Sequence, residues 1–160
     1  MSATAKAEEA RWDDADSAAL IDRILARYHE VHRKELPMLA SLAAKVERVH
    51  GDDPRAPLGL AGLLSHMEEE LSEHMAKEEE ILFPLMRRGG HPMIGHPIAV
   101  MRDEHDGHVA ELARLTRDHS APEGACGSWR RLCEGTRKLA EDLAEHMRLE
   151  NAVLFPRFGG

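Results

Sequence analysis

The chain has 160 residues, of which 42% are hydrophobic and 31% are charged, a composition typical of one globular domain. Its net charge of −8 disfavours nucleic acid and anionic membranes as partners. It has no apolar run of about 18 residues and no apolar segment at its start, so we expect neither a membrane span nor a secretory signal. Two cysteines, Cys126 and Cys133, are too few for a disulfide scaffold and favour the reducing cytoplasm.

Four long segments repeat their hydrophobic residues at spacings of three and four, the period of an amphipathic helix. In chain order they are 17–49, which contains Pro37, 58–83, 98–118 and 128–155. We expect Pro84, followed by Gly89-Gly90, to end the second helix, and Pro156 with Gly159-Gly160 to end the fourth. Residues 1–15 lack this period and are predicted to form a flexible tail before a single domain over 16–160. Short connections between long helices predict an all-α, up-down-up-down antiparallel four-helix bundle.

An internal repeat relates the two halves of the chain. Residues 73–84 (EHMAKEEEILFP) and 145–156 (EHMRLENAVLFP) agree at seven of twelve positions. A weaker echo relates His29-x-x-His32 to His105-x-x-His108. The pattern predicts two copies of one αα-hairpin related by a pseudo-two-fold axis. We interpret the repeated Leu-Phe-Pro as core packing followed by a helix end, without a chemical role.

Each copy of the repeat carries a His-x-x-x-Glu motif, whose two side chains lie on one face of a helix. Imidazole and carboxylate together suit iron, manganese or zinc better than a soft cation. At about 1.5 Å of rise per residue, one histidine from each of the other two helices reaches the same depth. The candidate metal ligands are His29, His74, Glu78, His105, His146 and Glu150. His50 follows His29 by 21 residues, about 31 Å along one helix, and is excluded from that site.

Other acidic and histidine residues around these motifs have two interpretations. Glu70 and Glu104 either act at the site, by orienting a ligand imidazole or by lining an access path, or belong to a solvated surface. The remaining glutamates near residue 74, Glu79 among them, are interpreted as a solvated acidic face. His32 and His108 are expected at the surface or beside the ligands, as are the other histidines outside the ligand set.

The order H…HxxxE…H…HxxxE on four helices resembles the hemerythrin-like (HHE cation-binding) family, most closely its bacterial repair-of-iron-centres branch. The matching stretches are RYHEVH at 27–32, KVERVH at 45–50, residues 69–84, EHD at 104–106 and LENAVLFP at 149–156. The resemblance implies a hemerythrin-like bundle with an oxo- or hydroxo-bridged pair of iron ions. It assigns the six candidate residues as ligands, with Glu78 and Glu150 bridging the two ions.

The resemblance also implies a role in the nitrosative or oxidative stress response. Such a protein binds NO or O2 at the di-iron site, or supplies iron to damaged iron–sulfur proteins, and NO reduction is a candidate activity. The alternative is an O2 or NO sensor or carrier without turnover. A ferritin-like oxidase, which uses Glu-x-x-His pairs, fits the chain less well.

Two departures from the family pattern bear on these expectations. The paired-cysteine N-terminal domain of family members has no counterpart in residues 1–11. If that domain handles clusters, electrons or partners, this chain alone is expected to lack full repair activity. Oxygen carriers use a fifth histidine where this chain has Val109, and an aspartate five residues after the last histidine, where this chain has Glu150 four residues after His146. Both differences argue against a dedicated oxygen carrier.

Overall fold

The computed structural model describes residues 11–104 and 108–159, and every regular element in that part of the chain is helical. The α-helices within it are α1 (Ser17–Ile24), α2 (Glu30–His50), α3 (Leu60–Lys77), α4 (Phe83–Arg87), α5 (Gly95–Glu104), α6 (Val109–Leu115) and α7 (Gly127–Arg148). Three π-helical segments are named π1 (Leu25–His29), π2 (Glu78–Leu82) and π3 (Leu149–Leu154). Among the described helices, none is both long and apolar enough to cross a membrane.

The first predicted helix corresponds to α1, π1 and α2, which follow one another along the chain. Asp16 caps its start, because the Asp16 carboxylate accepts a hydrogen bond from the backbone N–H of Ala19 at 2.8 Å. Pro37 lies inside α2, and the helix continues past it to His50. The observed end is therefore within one residue of the predicted end at Val49.

The two prolines of the repeat do not end their helices, so that part of the prediction is wrong. Pro84 lies at the start of α4, which continues to Arg87 before Gly89 adopts a left-handed φ of +95°. Pro156 lies in a 3₁₀ turn over Phe155–Phe158 that follows π3 directly.

The wide π turns explain how the helices continue through proline. Phe83 donates its backbone N–H to the carbonyl of Glu78, and Phe155 donates its own to the carbonyl of Glu150, each five residues back. A regular α-helix uses the carbonyl four residues back, so the hydrogen-bond register has shifted at both positions. Proline follows at once in both copies, and having no N–H it leaves no donor unsatisfied where the register changes.

The third predicted helix starts earlier and ends earlier than 98–118. It appears as α5 and α6, separated by residues 105–107, which lie outside the described part. Pro97 sits in the first turn of α5, where its missing N–H would have had no partner in the helix. The helical region ends after Leu115, because residues 117–119 all adopt left-handed φ values of 52° to 58°.

The chain divides into two compact units. Within the described residues the first contains 11–29, 74–104 and 143–159, and the second contains 30–73 and 108–142. The core of the first unit includes Leu20, Ile24, Phe83, Ile98 and Phe155, all at most 1% exposed. The second unit buries Leu36, Leu39, Leu64, Leu112 and Leu132. The burial of apolar side chains therefore follows the helical period that the sequence predicts.

The predicted tail over residues 1–15 lies mostly outside the described part, which begins at Arg11. Trp12 packs against the core of the first unit, and Asp13 forms an ion pair with Arg148 at 2.8 Å. Arg157 donates hydrogen bonds to the backbone carbonyls of Asp13 and Ala15. Residues 12–15 are thus held by the first unit, while the predicted domain boundary at residue 16 stays a prediction.

Candidate metal centre

Five of the six residues predicted as ligands lie in the first unit and are buried. Their exposed fractions are 0% for His29, 4% for His74, 0% for Glu78, 1% for His146 and 0% for Glu150. His74 and His146 lie in the last turns of α3 and α7. The other three lie in π segments, which recur at functional sites of helical proteins. The sixth residue, His105, lies outside the described residues.

The Glu78 carboxylate lies between two imidazole rings from different helices. Its Oε1 is 3.3 Å from Nε2 of His29 and 3.2 Å from Nε2 of His74. A carboxylate that lies between two imidazoles can be shared by two cations, each with its own histidine.

Glu150 occupies an equivalent position from the other copy of the repeat. Its Oε2 is 2.8 Å from Nε2 of His146, and its Oε1 is 3.8 Å from Nε2 of His74. The rings of His29 and His146 have centroids 5.0 Å apart and are inclined by 60°. Donor atoms of His29, Glu78, His146 and Glu150 all lie within 4.8 Å of one another, so these four residues can hold a metal ion together.

Buried nitrogen and oxygen atoms of the cluster remain available to bind a cation. Nε2 of His29 and both carboxylate oxygens of Glu78 are buried and make no hydrogen bond within residues 11–104 and 108–159. Leaving a buried polar atom unsatisfied costs about 1–3 kcal/mol, so such atoms are normally hydrogen-bonded. A divalent cation among these atoms satisfies them all, and a set of imidazoles and carboxylates suits iron, manganese or zinc.

The electrostatics of the cluster also favour a cation. Burial, reinforced by the neighbouring His146, lowers the pKa of His29 to about 4, so His29 is neutral near pH 7. Burial alone would lower the pKa of His74 too, but Glu150 and Glu78 outweigh it and raise that pKa to about 11. Burial and then the charge of Glu150 raise the pKa of Glu78 well above its usual value. Without a cation, His74 and Glu78 therefore hold their protons more tightly than the same side chains in water.

Two further carboxylates contact Nδ1 of the candidate ligands His29 and His74. Oε2 of Glu79 lies 2.6 Å from Nδ1 of His29, and Oε2 of Glu104 lies 3.0 Å from Nδ1 of His74. Lys77 donates a hydrogen bond to the other oxygen of Glu104 at 2.7 Å. A carboxylate at Nδ1 keeps the proton on that nitrogen and directs the lone pair of Nε2 towards the cluster.

Aromatic rings close two sides of the cluster. Tyr28 stacks on His146 with ring centroids 5.6 Å apart and an interplanar angle of 14°. Phe83 stacks on His29 at 5.7 Å and 24°. Both aromatic side chains are at most 5% exposed, so these faces of the two imidazoles are shielded from water.

Comparison with known proteins agrees with this geometry. The family model for the hemerythrin HHE cation-binding domain matches residues 20–158. The chain belongs to the hemerythrin HHE cation-binding family. Its fold class is therefore the hemerythrin-like four-helix bundle predicted from the sequence, and family members bind metal cations.

Similar proteins within the family carry a more specific name. The iron-sulfur cluster repair proteins YtfE of Yersinia pseudotuberculosis serotype O:3 (strain YPIII) and of Yersinia pestis (strain Pestoides F) are each 48% identical to this chain over 149 residues. The matched region covers 91% of this chain and 67% of each relative. These relatives confirm the resemblance to the repair-of-iron-centres branch of the family.

Glu70 and Glu104, which had the same two predicted roles, lie in different surroundings in the structure. Glu104 contacts Nδ1 of the HHE-motif residue His74, which is one of the two predicted alternatives. Glu70 instead contacts two histidines of the second unit, His66 at 3.0 Å and His108 at 2.5 Å. The interpretation of Glu79 as part of a solvated face is wrong, because its carboxylate supports His29.

Two other histidines near the family motifs lie elsewhere. His32 is fully buried in the second unit, which excludes the surface position, one of the two alternatives predicted for it. His50 contacts Sγ of Cys126 at 3.2 Å and the ring of Trp129, also within the second unit. These contacts account for His50 without a role in the cluster, which agrees with its exclusion on distance along the helix.

Proposed function

We propose that the buried cluster holds two iron ions, one bound by His29 and His146 and the other by His74 and His105, with Glu78 and Glu150 shared. The observation that carries this proposal is the position of Glu78, whose Oε1 lies within 3.3 Å of imidazole nitrogens from two helices. Glu150 supports the same division, since its two oxygens face His146 and His74 separately. His105 enters the proposal on the sequence pattern alone.

The surrounding residues have defined tasks in this proposal. Glu79 and Glu104 hold the proton on Nδ1 of His29 and His74, so that Nε2 of each ring is available as a ligand. Lys77 balances the charge of Glu104 and fixes its orientation. Tyr28 and Phe83 keep water from two imidazole faces, which slows loss of the ions to solvent. When bound, the iron pair supplies a redox-active centre with open positions for a small molecule.

On this basis we assign the protein to the nitrosative and oxidative stress response. It binds NO or O2 at the di-iron centre, supplies iron to damaged iron–sulfur proteins, or does both. The support is the name of its 48% identical relatives, iron-sulfur cluster repair proteins, together with the buried ligand set. A cytoplasmic location belongs to the proposal and rests on two free thiols, Cys126 and Cys133.

Repair of a damaged cluster is the direct test of this function. Iron-loaded protein is added anaerobically to an iron–sulfur enzyme that NO has inactivated, and recovery of its activity is followed with the iron content of both proteins. We expect recovery accompanied by loss of iron from this protein, and no recovery with the His146→Ala variant. Tightly retained iron without recovery would contradict iron supply.

Anaerobic NO titration with detection of N2O separates this function from the alternative of a sensor or carrier. Reversible NO binding without N2O and without transfer of iron would favour the alternative. Formation of N2O at a catalytic rate would instead make the protein an NO-reducing enzyme.

A further inference from the structure

A second group of metal-binding side chains lies in the second unit, outside the buried cluster. His66 and Glu70 are four residues apart on α3, so their side chains share one face of that helix. His108 comes from a different element, at the residue that precedes α6. All three side chains reach solvent, with exposed fractions of 54%, 53% and 33%.

The two histidines direct the same ring nitrogen at one carboxylate. Nε2 of His66 lies 3.0 Å from Oε1 of Glu70, and Nε2 of His108 lies 2.5 Å from Oε2. The imidazole rings meet edge to face, with centroids 5.1 Å apart and an angle of 75°. Donor atoms of all three residues fall within 4.8 Å of one another.

We propose that His66, Glu70 and His108 form a peripheral, solvent-accessible site for a divalent transition-metal cation such as Zn2+ or Fe2+. Two imidazole nitrogens and one carboxylate oxygen are a common ligand set for these ions, with water completing the coordination. Solvent exposure lets the side chains adjust to the bond lengths of the ion and lets the ion exchange.

The simpler interpretation is a pair of surface ion pairs between protonated histidines and Glu70. An exposed ion pair of that kind contributes little, about 0–1 kcal/mol, and gives no reason for both rings to present Nε2 to the same carboxylate. The hydrogen bond with His108 lowers the pKa of Glu70, which favours the charged carboxylate that a cation needs as a ligand. The three donors are then available to a cation together.

Equilibrium dialysis against Zn2+, with zinc and iron both measured by mass spectrometry, tests this inference on the iron-loaded protein. We expect the wild type to bind a further zinc ion while it retains its iron. Even residues that only support metal ligands change metal affinity by about tenfold or more, so removal of a ligand in Glu70→Gln, His66→Ala or His108→Ala should weaken zinc binding at least that much. Iron content should not change in these variants.

Matched substitutions control for general effects of charge and histidine content. Glu69→Gln removes the same charge one residue away, and His96→Ala removes an exposed histidine from another element. Both should bind zinc like the wild type, and circular dichroism should show every variant folded. Zinc binding of wild-type strength in the Glu70, His66 and His108 variants would overturn the inference, as would uptake of zinc only in exchange for iron. Because iron is measured in the same samples, failure of the di-iron proposal would be seen separately.

Discussion

Nδ1 of His29 lies 2.6 Å from Oε2 of Glu79, a glutamate in the middle of the acidic run Glu78-Glu79-Glu80. Two neighbouring carboxylates of one helix thus meet the two nitrogens of one imidazole, because Glu78 lies 3.3 Å from its Nε2. The third carboxylate, Glu80, is exposed. The run therefore contains a candidate ligand, its supporting residue and a solvated side chain in succession.

The Glu79→Gln substitution should weaken iron binding without unfolding the protein. It removes the charge that holds the Nδ1 proton of His29 and leaves the candidate ligands in place, so we expect a loss of about tenfold to a hundredfold in affinity. Competition with a chromophoric chelator measures that affinity. Glu80→Gln is the control, since it removes the same charge from an exposed neighbour and should bind iron like the wild type. Equal affinity in both variants would contradict the supporting role of Glu79.

The Glu78→Gln substitution should separate metal binding from folding. The amide keeps the shape of the side chain but removes a buried carboxylate whose pKa burial and Glu150 raise. We expect iron binding to be lost, while the free energy of unfolding of the metal-free protein stays within about 1 kcal/mol of the wild type, because the neutral amide resembles the protonated carboxyl that the raised pKa favours. Urea unfolding after chelator treatment gives this comparison. A metal-free variant several kcal/mol less stable than wild type would show that Glu78 stabilises the fold itself.

Metal binding near pH 7 should release protons. In the metal-free protein Glu150 and Glu78 raise the pKa of His74 to about 11, against its usual value of 6.5, so His74 carries a proton at pH 7. A metal ion requires neutral imidazole and displaces that proton, so the affinity for the ion should rise with pH in this range. His29 makes no such contribution above pH 6.5, because its lowered pKa of about 4 leaves it neutral already.

Calorimetric titration of Fe2+ in buffers of different ionisation enthalpy measures the released protons. A binding enthalpy independent of the buffer would contradict the protonated state of the metal-free site. The His74→Gln variant should release fewer protons than the wild type, whatever its affinity.

Pro84→Ala should loosen the π turn that places Glu78. Proline disfavours a regular α-helix by ~3 kcal/mol or more, and alanine removes that restriction from the turn after Phe83. If about 1.4 kcal/mol of that free energy keeps π2 wide, iron affinity should fall by about tenfold. Pro92→Ala, in an exposed loop residue, should leave the affinity unchanged. A Pro84→Ala variant that binds iron like the wild type would mean that packing of Leu82 and Phe83 alone sets the turn.

The parts that follow from helical periodicity were predictable from the sequence. The duplicated His-x-x-x-Glu motifs predict that His74 faces Glu78 and that His146 faces Glu150, and the measured contacts of 3.2 Å and 2.8 Å agree. The role of Glu79 was not predictable in this way, since it depends on where His29 lies beside another helix. Periodicity within one helix contains no information about that distance.

The π turns were missed although the sequence contains a signal for them. The Leu-Phe-Pro that closes both copies of the repeat places proline six residues after Glu78 and after Glu150. In each copy the preceding phenylalanine donates its N–H to the carbonyl of that glutamate, five residues back. The Leu-Phe-Pro sequence therefore marks the place where the π-helical hydrogen bonding ends. Interpreting proline only as a helix end concealed this relationship.

Anomalous X-ray diffraction at the iron absorption edge, on crystals of iron-loaded protein, locates each iron ion relative to the candidate ligands. The proposed di-iron centre should give two iron peaks, one next to Nε2 of His29 and His146 and the other next to Nε2 of His74, with the Glu78 carboxylate between them. A single peak at that position, or iron bound only away from these residues, would contradict it.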